Sequence, residues 1–316
     1  MSGFPVRVCA EVLLLLSGVL SCARYDAWAQ VVVQQNTRTI VPAEFRQSLR
    51  DRLAGGLHQQ LPFRMTTDSQ GRILVTDPYL SLVHVLDVKD GKRWQMRGDR
   101  NQRMVFPTYI AVDGEDNVYV SEPLLFAILV FRPDGSFLRS IRGDRLTVPF
   151  GLALDERNDK LYVVDNFRDE IQVYTLEGKL LQVIAKRGTG PGELMHPSDL
   201  VLQHGMIFVL DTGNKRFQVF DLEGNVTKIW PFGPDRWPVT FTLDAAGNLY
   251  CIDLESLGML ISDPAGSPLA ALDIQIPYGQ PGRRGAFPSF LAMAPKRDGS
   301  MLALRPGGTI EVVKLE

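Results

Sequence analysis

Cysteine is scarce in this chain, with three in 316 residues, and two of them, Cys9 and Cys22, fall in an N-terminal stretch that reads as a targeting segment. Cys251 is then alone in the body, so no intramolecular disulfide can form there, and on a strand-like apolar run it is expected to act as a small buried hydrophobe. Histidine is nearly as rare, at four. His58, His84 and His204 are scattered, and three convergent ligands for a catalytic metal cannot be assembled from them with His196. No apolar run reaches the roughly 20 residues that span a bilayer; the best, Val12 to Leu20, is about half that length, which argues against a permanent anchor helix. The chain also lacks a charge excess: the formal net charge is -2 and the pI near 6.1. Sequence-independent attraction to nucleic acid has no support from such a balance, and no nucleic-acid partner is expected. A nucleophile elbow of the G-x-S-x-G type is absent as well.

What is present begins with an address. Residues 1–29 carry Arg7, the short apolar core and then Ala27-Trp28-Ala29, the pattern of a secretory signal with a small-x-small cleavage site. Val19-Leu20-Ser21-Cys22 also has the form of a lipoprotein signal, in which the chain is cut before Cys22 and Cys22 is lipidated. Both cleavage positions stay open. In either case the expected location is exported, periplasmic or extracellular, with the membrane reached only through a lipid at Cys22.

The body, residues 61–316, says the same thing six times. A proline opens each unit (Pro62, Pro107, Pro149, Pro197, Pro238, Pro288). A strand follows it, then a β-branched and aromatic second strand, clearest in NVYVSE, KLYVVD, MIFVLD and NLYCID. AILVF, EIQVY and RFQVF read as third strands, FLRSI, LLQVI and VTKIW as fourth strands, with Gly, Asp and Asn turns between. Six units of four antiparallel strands make an all-β, six-bladed β-propeller. The run Val209-Leu210-Asp211-Thr212-Gly213-Asn214-Lys215-Arg216-Phe217-Gln218-Val219-Phe220 resembles the repeat of the NHL-type propellers, and unit three is close to it. Units five and six lack the Asn-x-Arg element, at Ser256 to Met259 and Pro306 to Thr309. The resemblance implies the fold for the whole body and a site, if any, on loops at one channel mouth.

KRGTGPGELMHPSDL, residues 186–200, would suit a phosphate loop only if a helix followed to receive the anion. Another unit follows instead, so Gly188 to Gly192 reads as the crossing from blade three to blade four. Unit six reaches Glu316 after its third strand, and residues 30–60 offer a complement: QVVVQQ, Gln30 to Gln35, is expected to close blade six as its fourth strand. Phe45, Leu49 and Leu53 are spaced as on a short amphipathic helix over residues 42–53.

Five acidic residues, Asp77, Glu122, Asp165, Asp211 and Asp253, end the second strands of five successive units and therefore form a ring. As a site they would take a cation or polar ligand together with His196; as structure they would accept hydrogen bonds inside their own turns, the reading a blade-by-blade repeat favours. His196 alone stands where the amidating lyases, similar in shape, place metal-binding histidines; Phe106, Trp237 and Phe287 occupy the matching positions. No catalytic residue and no cofactor are assigned, and the metal is left unknown. Two Arg-Gly-Asp-Arg sequences, 97–100 and 142–145, fall at matching blade exits, as duplication of a turn would give. The sequence therefore reads as an exported, monomeric binding or interaction module for a protein or small-molecule partner. A metal-dependent lyase or hydrolase with its site in the channel is the alternative.

Overall fold

The computed structural model describes residues 31–34, 64–78, 80–87, 89–233, 236–253, 258–272, 292–296, 300–304 and 310–315. Its strands form six four-stranded antiparallel sheets, the blades, and one short two-stranded parallel pairing. Blade three shows the pattern: Pro149–Asp155, Lys160–Asp165, Glu170–Tyr174 and Leu180–Ile184 pair in succession. The chain is an all-β, six-bladed propeller. Among the described residues there is no α-helix, and the helical pieces are three single 3-10 turns at Pro123–Leu125, Glu156–Asn158 and Thr212–Asn214. The helix expected over 42–53 lies outside the described residues, as do Gln30 and Gln35. Val31–Gln34 runs antiparallel to the last strand, Ile310–Leu315, with Val33 opposite Val313.

Burial explains why second and third strands are apolar on both faces. A blade is sandwiched between two neighbours, so Val118–Glu122 and Ala127–Phe131 are buried at every residue, whereas the outer strand Val226–Pro231 contains no buried residue. Six apolar clusters fill the six spaces between blades. Met65, Ile73 and Leu86 of blade one meet Ala292, Leu302 and Ile310 of blade six in one of them. The remaining five repeat the arrangement from blade to blade around the ring. At the centre the first strand of each blade touches the first strands of both neighbours, blade six on blade one included.

Antiparallel order fixes two faces. The segment that crosses from one blade's outer strand to the next blade's inner strand, and the turn between second and third strands, must lie at the same end of every sheet. We refer to this end as the crossing face; the turns joining first to second and third to fourth strands make the opposite face.

The inner strands approach closely where Pro149-Phe150-Gly151 begins blade three. The Gly151 amide donates to Ser198 O at 3.3 Å, and a Cβ on Gly151 would sit 2.6 Å from the Leu200 nitrogen and 2.8 Å from the Asp199 Cα. Those neighbours are backbone and cannot swing aside, so Gly151→Val should lower stability by about 2 kcal/mol or more, read as a lower thermal midpoint. A variant that melts with the wild type would mean that the two strands separate freely.

Candidate functional site

The acidic ring is buried. Asp77, Glu122, Asp165, Asp211 and Asp253 are each fully inaccessible, at the crossing-face end of their second strands. In blades two to five their oxygens meet the backbone of the crossing segment that leads into their own blade. Glu122 accepts from the amides of Val105 and Phe106 at 2.9 and 2.7 Å. Asp165 accepts from the Thr147 amide at 2.6 Å and from the Val148 amide at 3.2 Å. Asp211 takes the Met195 amide at 2.8 Å, and Asp253 the Trp237 amide at 2.5 Å. Asp77 accepts from its own turn, at the Leu80 amide, with His84 Nε2 3.3 Å away.

Blade four adds side chains to this latch. Arg216 Nε, Asn214 Nδ2 and Gln218 Nε2 all donate to Asp211 Oδ2, at 2.8, 2.9 and 3.0 Å. The same residues hold the glycine-rich crossing 188–192: Asn214 donates to Gly188 O, and Arg216 to the carbonyls of Thr189, Gly190 and Glu193. The crossing itself pairs Lys186–Arg187 in parallel with Glu193–Leu194. The Asn-x-Arg element thus fastens a crossing whose backbone has no sheet partner beyond that short pairing. Blade five, without it, uses Arg236 Nη1 to Asp253 at 3.1 Å.

His196 belongs to the same crossing but not to the ring. Its side chain is exposed, its backbone φ is 46°, and its amide donates to Asp169 Oδ1 at 2.6 Å. Its Nδ1 lies 4.0 Å from that oxygen, while Arg187 Nε donates to Asp169 Oδ2. Among the described residues, no three His, Cys, Asp or Glu side chains converge as a ligand set.

The channel is bridged near the crossing face. Arg64, preceding the first strand of blade one, reaches Asp199 Oδ2 of blade four, the opposite blade of the ring, at 3.2 Å. Its guanidinium also donates to the Tyr109 hydroxyl of blade two and to Val239 O of blade five, and lies 4.0 Å above the Tyr109 ring. Thr240 Oγ1 and the Phe241 amide donate to Asp199 Oδ2. Burial pushes the Asp199 carboxyl up from its ordinary pKa, against the opposing pull of Arg64. Four blades are thus tied across the axis, which no strand pattern could have disclosed.

Sequence reasoning also missed the exposed apolar side chains. Of the seven large hydrophobics exposed among the described residues, five lie on the crossing face: Val105, Leu124, Phe126, Phe167 and Trp237. The other two, Leu180 and Leu181, sit on the outer strand of blade three. A signal for two of the five was present, because Leu124 and Phe167 occupy the same place, two residues beyond the ring carboxylate, in adjacent blades.

A family model described as DUF5128, 6-bladed beta-propeller, matches residues 152–232, blades three and four. A search of curated proteins finds no match. Among solved structures the chain is similar to a streptogramin B lyase, with 13% identity, a TM-score of 0.59 and coverage of 82% of this chain and 96% of that one. Virginiamycin B lyase from Staphylococcus aureus is similar at 12% identity and TM-score 0.58, over 82% and 97% of the two chains. A chain of a nidogen/laminin complex follows at 19% identity and TM-score 0.57, over 67% and 80%. At these identities the likeness is one of fold.

Glu122 gives the site a measurable pH dependence. Burial lifts its carboxyl to a pKa of about 7 from 4.5, outweighing the two amides that favour the anion. The folded protein therefore holds this proton more tightly than the unfolded chain does. The stability it contributes is complete below pH 4.5 and is lost as pH rises through 7, a loss of about 3 kcal/mol. Denaturant melts from pH 4.5 to 7.5 should show Glu122→Gln losing less stability over this range than the wild type. Parallel curves would mean that Glu122 is ionised throughout.

Proposed function

We propose that the chain is an exported interaction module whose partner, a protein or a small molecule, contacts the crossing-face loops. The observation that carries this reading is the placement of five of the seven exposed large hydrophobics among the described residues on that face, with Leu124, Phe126 and Phe167 on corresponding turns of adjacent blades. The loops bearing them are fixed by buried carboxylates, so the surface is preorganised, which lowers the entropy cost of binding. The ring carboxylates are, in this reading, supports of the binding surface, and His196 is its exposed edge on blade four. Arg64 and Asp199 occupy the channel below, which favours a ligand at the mouth. The fold serves both kinds of relative, lyases and a member of a protein complex, so it does not choose between them.

A photoreactive phenylalanine analogue at position 167, with a control at Glu177 on the opposite face, tests this in the producing cell. A crosslinked partner from 167 and none from 177 is expected. No product from 167, together with a tightly held stoichiometric metal in the purified protein, would replace the module with the metal-dependent enzyme.

Export through residues 1–29 and closure of blade six by the N-terminal strand belong to the same proposal. The pairing of Val31–Gln34 with Ile310–Leu315 supports closure, because an uncovered outer strand presents free N–H and C=O groups for association. Intact-mass analysis should find the mature chain beginning at Gln30, a diacylated Cys22 being the contrary outcome. Removal of residues 30–35 should lower the melting temperature and promote self-association; a monomer that melts with the wild type would show that the strand closes nothing.

A further inference from the structure

Phe126 is placed at a double local cost. It ends the turn Pro123–Leu125 with φ 53°, in the left-handed region, where a bulky side chain is an outlier, and it is 58% exposed. The same position in the sister blades is filled by Ser81, Asp169 and Lys215, with φ of 55°, 59° and 52°. Ser81 uses the position to donate to Val105 O at 2.7 Å, and Asp169 uses it to hold His196 and Arg187. Phenylalanine can do neither. The left-handed backbone belongs to this turn in all four blades, so what is particular to Phe126 is a bulky exposed side chain placed on it; costly local choices of this kind concentrate at functional sites, and 68%-exposed Phe167 lies in the corresponding turn of the next blade.

The exposed charge around these two turns is predominantly positive. Arg97, Arg100 and Arg103 in the crossing before blade two, Arg142 and Arg145 in the crossing after it, and Arg168 beside Phe167 are all exposed. Arg97 and Arg142 donate to the carbonyls of Leu80 and Leu125, which orients them without neutralising them. Only Arg145 has a full carboxylate partner, Glu170 at 2.6 Å. The acids of these loops are otherwise occupied: Glu122, Asp165 and Asp169 are buried, and Asp99 accepts from the amides of Asn101, Gln102 and Phe137. Asp144 is the one exposed carboxylate here. The opposite face is mixed instead, with Asp90, Glu115, Asp134, Glu156, Glu177 and Glu223 exposed beside Lys89, Lys92, Arg132, Arg157 and Lys179.

We propose that the crossing-face loops of blades two and three bind an acidic polypeptide segment bearing aromatic or aliphatic side chains, with Phe126, Leu124 and Phe167 as the apolar contacts and Arg100, Arg103 and Arg168 as the charge partners. The proposal rests on the module reading above and gives its partner a chemistry. Charge complementarity selects an acidic partner, and the apolar contacts select one that is not acidic alone. A single strand of nucleic acid could stack on Phe126 and Phe167, but the aliphatic contacts Leu124 and Val105 add nothing to that mode, and oligouridylate is therefore a competing probe in the test. A lipid surface would want an apolar face less broken by arginine. A second copy docking through its opposite face would bring mixed charge and no exposed large hydrophobic among the described residues to meet Phe126.

The test uses fluorescence anisotropy on the purified mature protein with a labelled peptide alternating Asp or Glu with Phe or Leu. Its lysine-for-acid counterpart, polyglutamate, oligouridylate and vesicles of anionic phospholipid serve as competing probes. The acidic apolar peptide should bind at least about tenfold more tightly than any other probe, and more weakly as salt rises. Phe126→Ser and Phe167→Ser should each weaken it about fivefold or more, while Phe126→Ser melts at or above the wild-type temperature because the strained position is relieved. Arg100→Glu combined with Arg103→Glu should weaken it as well. Equal binding of the lysine peptide, tighter binding of oligouridylate or vesicles, or indifference to Phe126→Ser overturns the proposal. If the analogue at position 167 crosslinks a partner in the cell while the acidic peptide fails, the acidic-partner inference falls and the module reading stands. If neither occurs, the module reading falls with it.

Discussion

The buried carboxylate at the end of the second strand in blades two to five is the contact on which the crossing face depends. A propeller chain must travel from the outer strand of one blade to the inner strand of the next, and over that distance its amides leave the ladder. Buried amides without partners cost as much as lost hydrogen bonds. Glu122, Asp165, Asp211 and Asp253 answer this by turning into the crossing and accepting its last amides. Aspartate reaches one or two amides, and the longer Glu122 two, at the desolvation cost that raises its pKa. The result is a loop surface held from beneath by charge that is withdrawn from solvent.

Arginine does the complementary work from above. Arg97 and Arg142 leave their outer strands at matching positions and donate to the same carbonyl of the neighbouring turn, Leu80 O and Leu125 O. Arg187, next in the series, meets Asp169 instead. The two Arg-Gly-Asp-Arg sequences are therefore one structural device repeated, in which the first arginine clasps a turn and the second is free to differ. Arg145 joins Glu170 in the following blade, while Arg100 is exposed. The repeat constrains the clasp and leaves the remaining side chains open to specialise.

That division explains what could be read in advance. Strand number, blade boundaries and the ring of acids are legible because each is repeated, and repetition survives the degradation of single units: blade five lacks Asn-x-Arg yet still forms Leu249–Asp253 beside Gly258–Ser262. The Arg64 bridge to Asp199 was not legible, since residues 135 positions apart carry no shared pattern and meet only because a six-bladed ring places blade one opposite blade four. Nor were Phe126 and Trp237 legible as surface residues, because an aromatic beside a strand is expected to be core. Exposure is a property of the turn that carries the residue, and the turn's left-handed end was not visible in Pro123-Leu124-Leu125-Phe126.

The two faces of the ring then differ for a physical reason. On the crossing face the carboxylates are consumed in holding backbone, which leaves arginine and apolar side chains as the chemistry presented to solvent. On the opposite face, tight turns use aspartate as a local acceptor, as Asp221 does for Asn225 and Asp263 for Ser267, and exposed Lys89, Lys92, Arg132, Arg157 and Lys179 stand among the exposed acids there. A chain with a net charge of only -2 thereby carries a basic surface on one face and a mixed one on the other. Long-range attraction is set by the distribution of charge as much as by its sum, and this distribution turns the arginine-rich, apolar crossing face toward any acidic molecule that approaches.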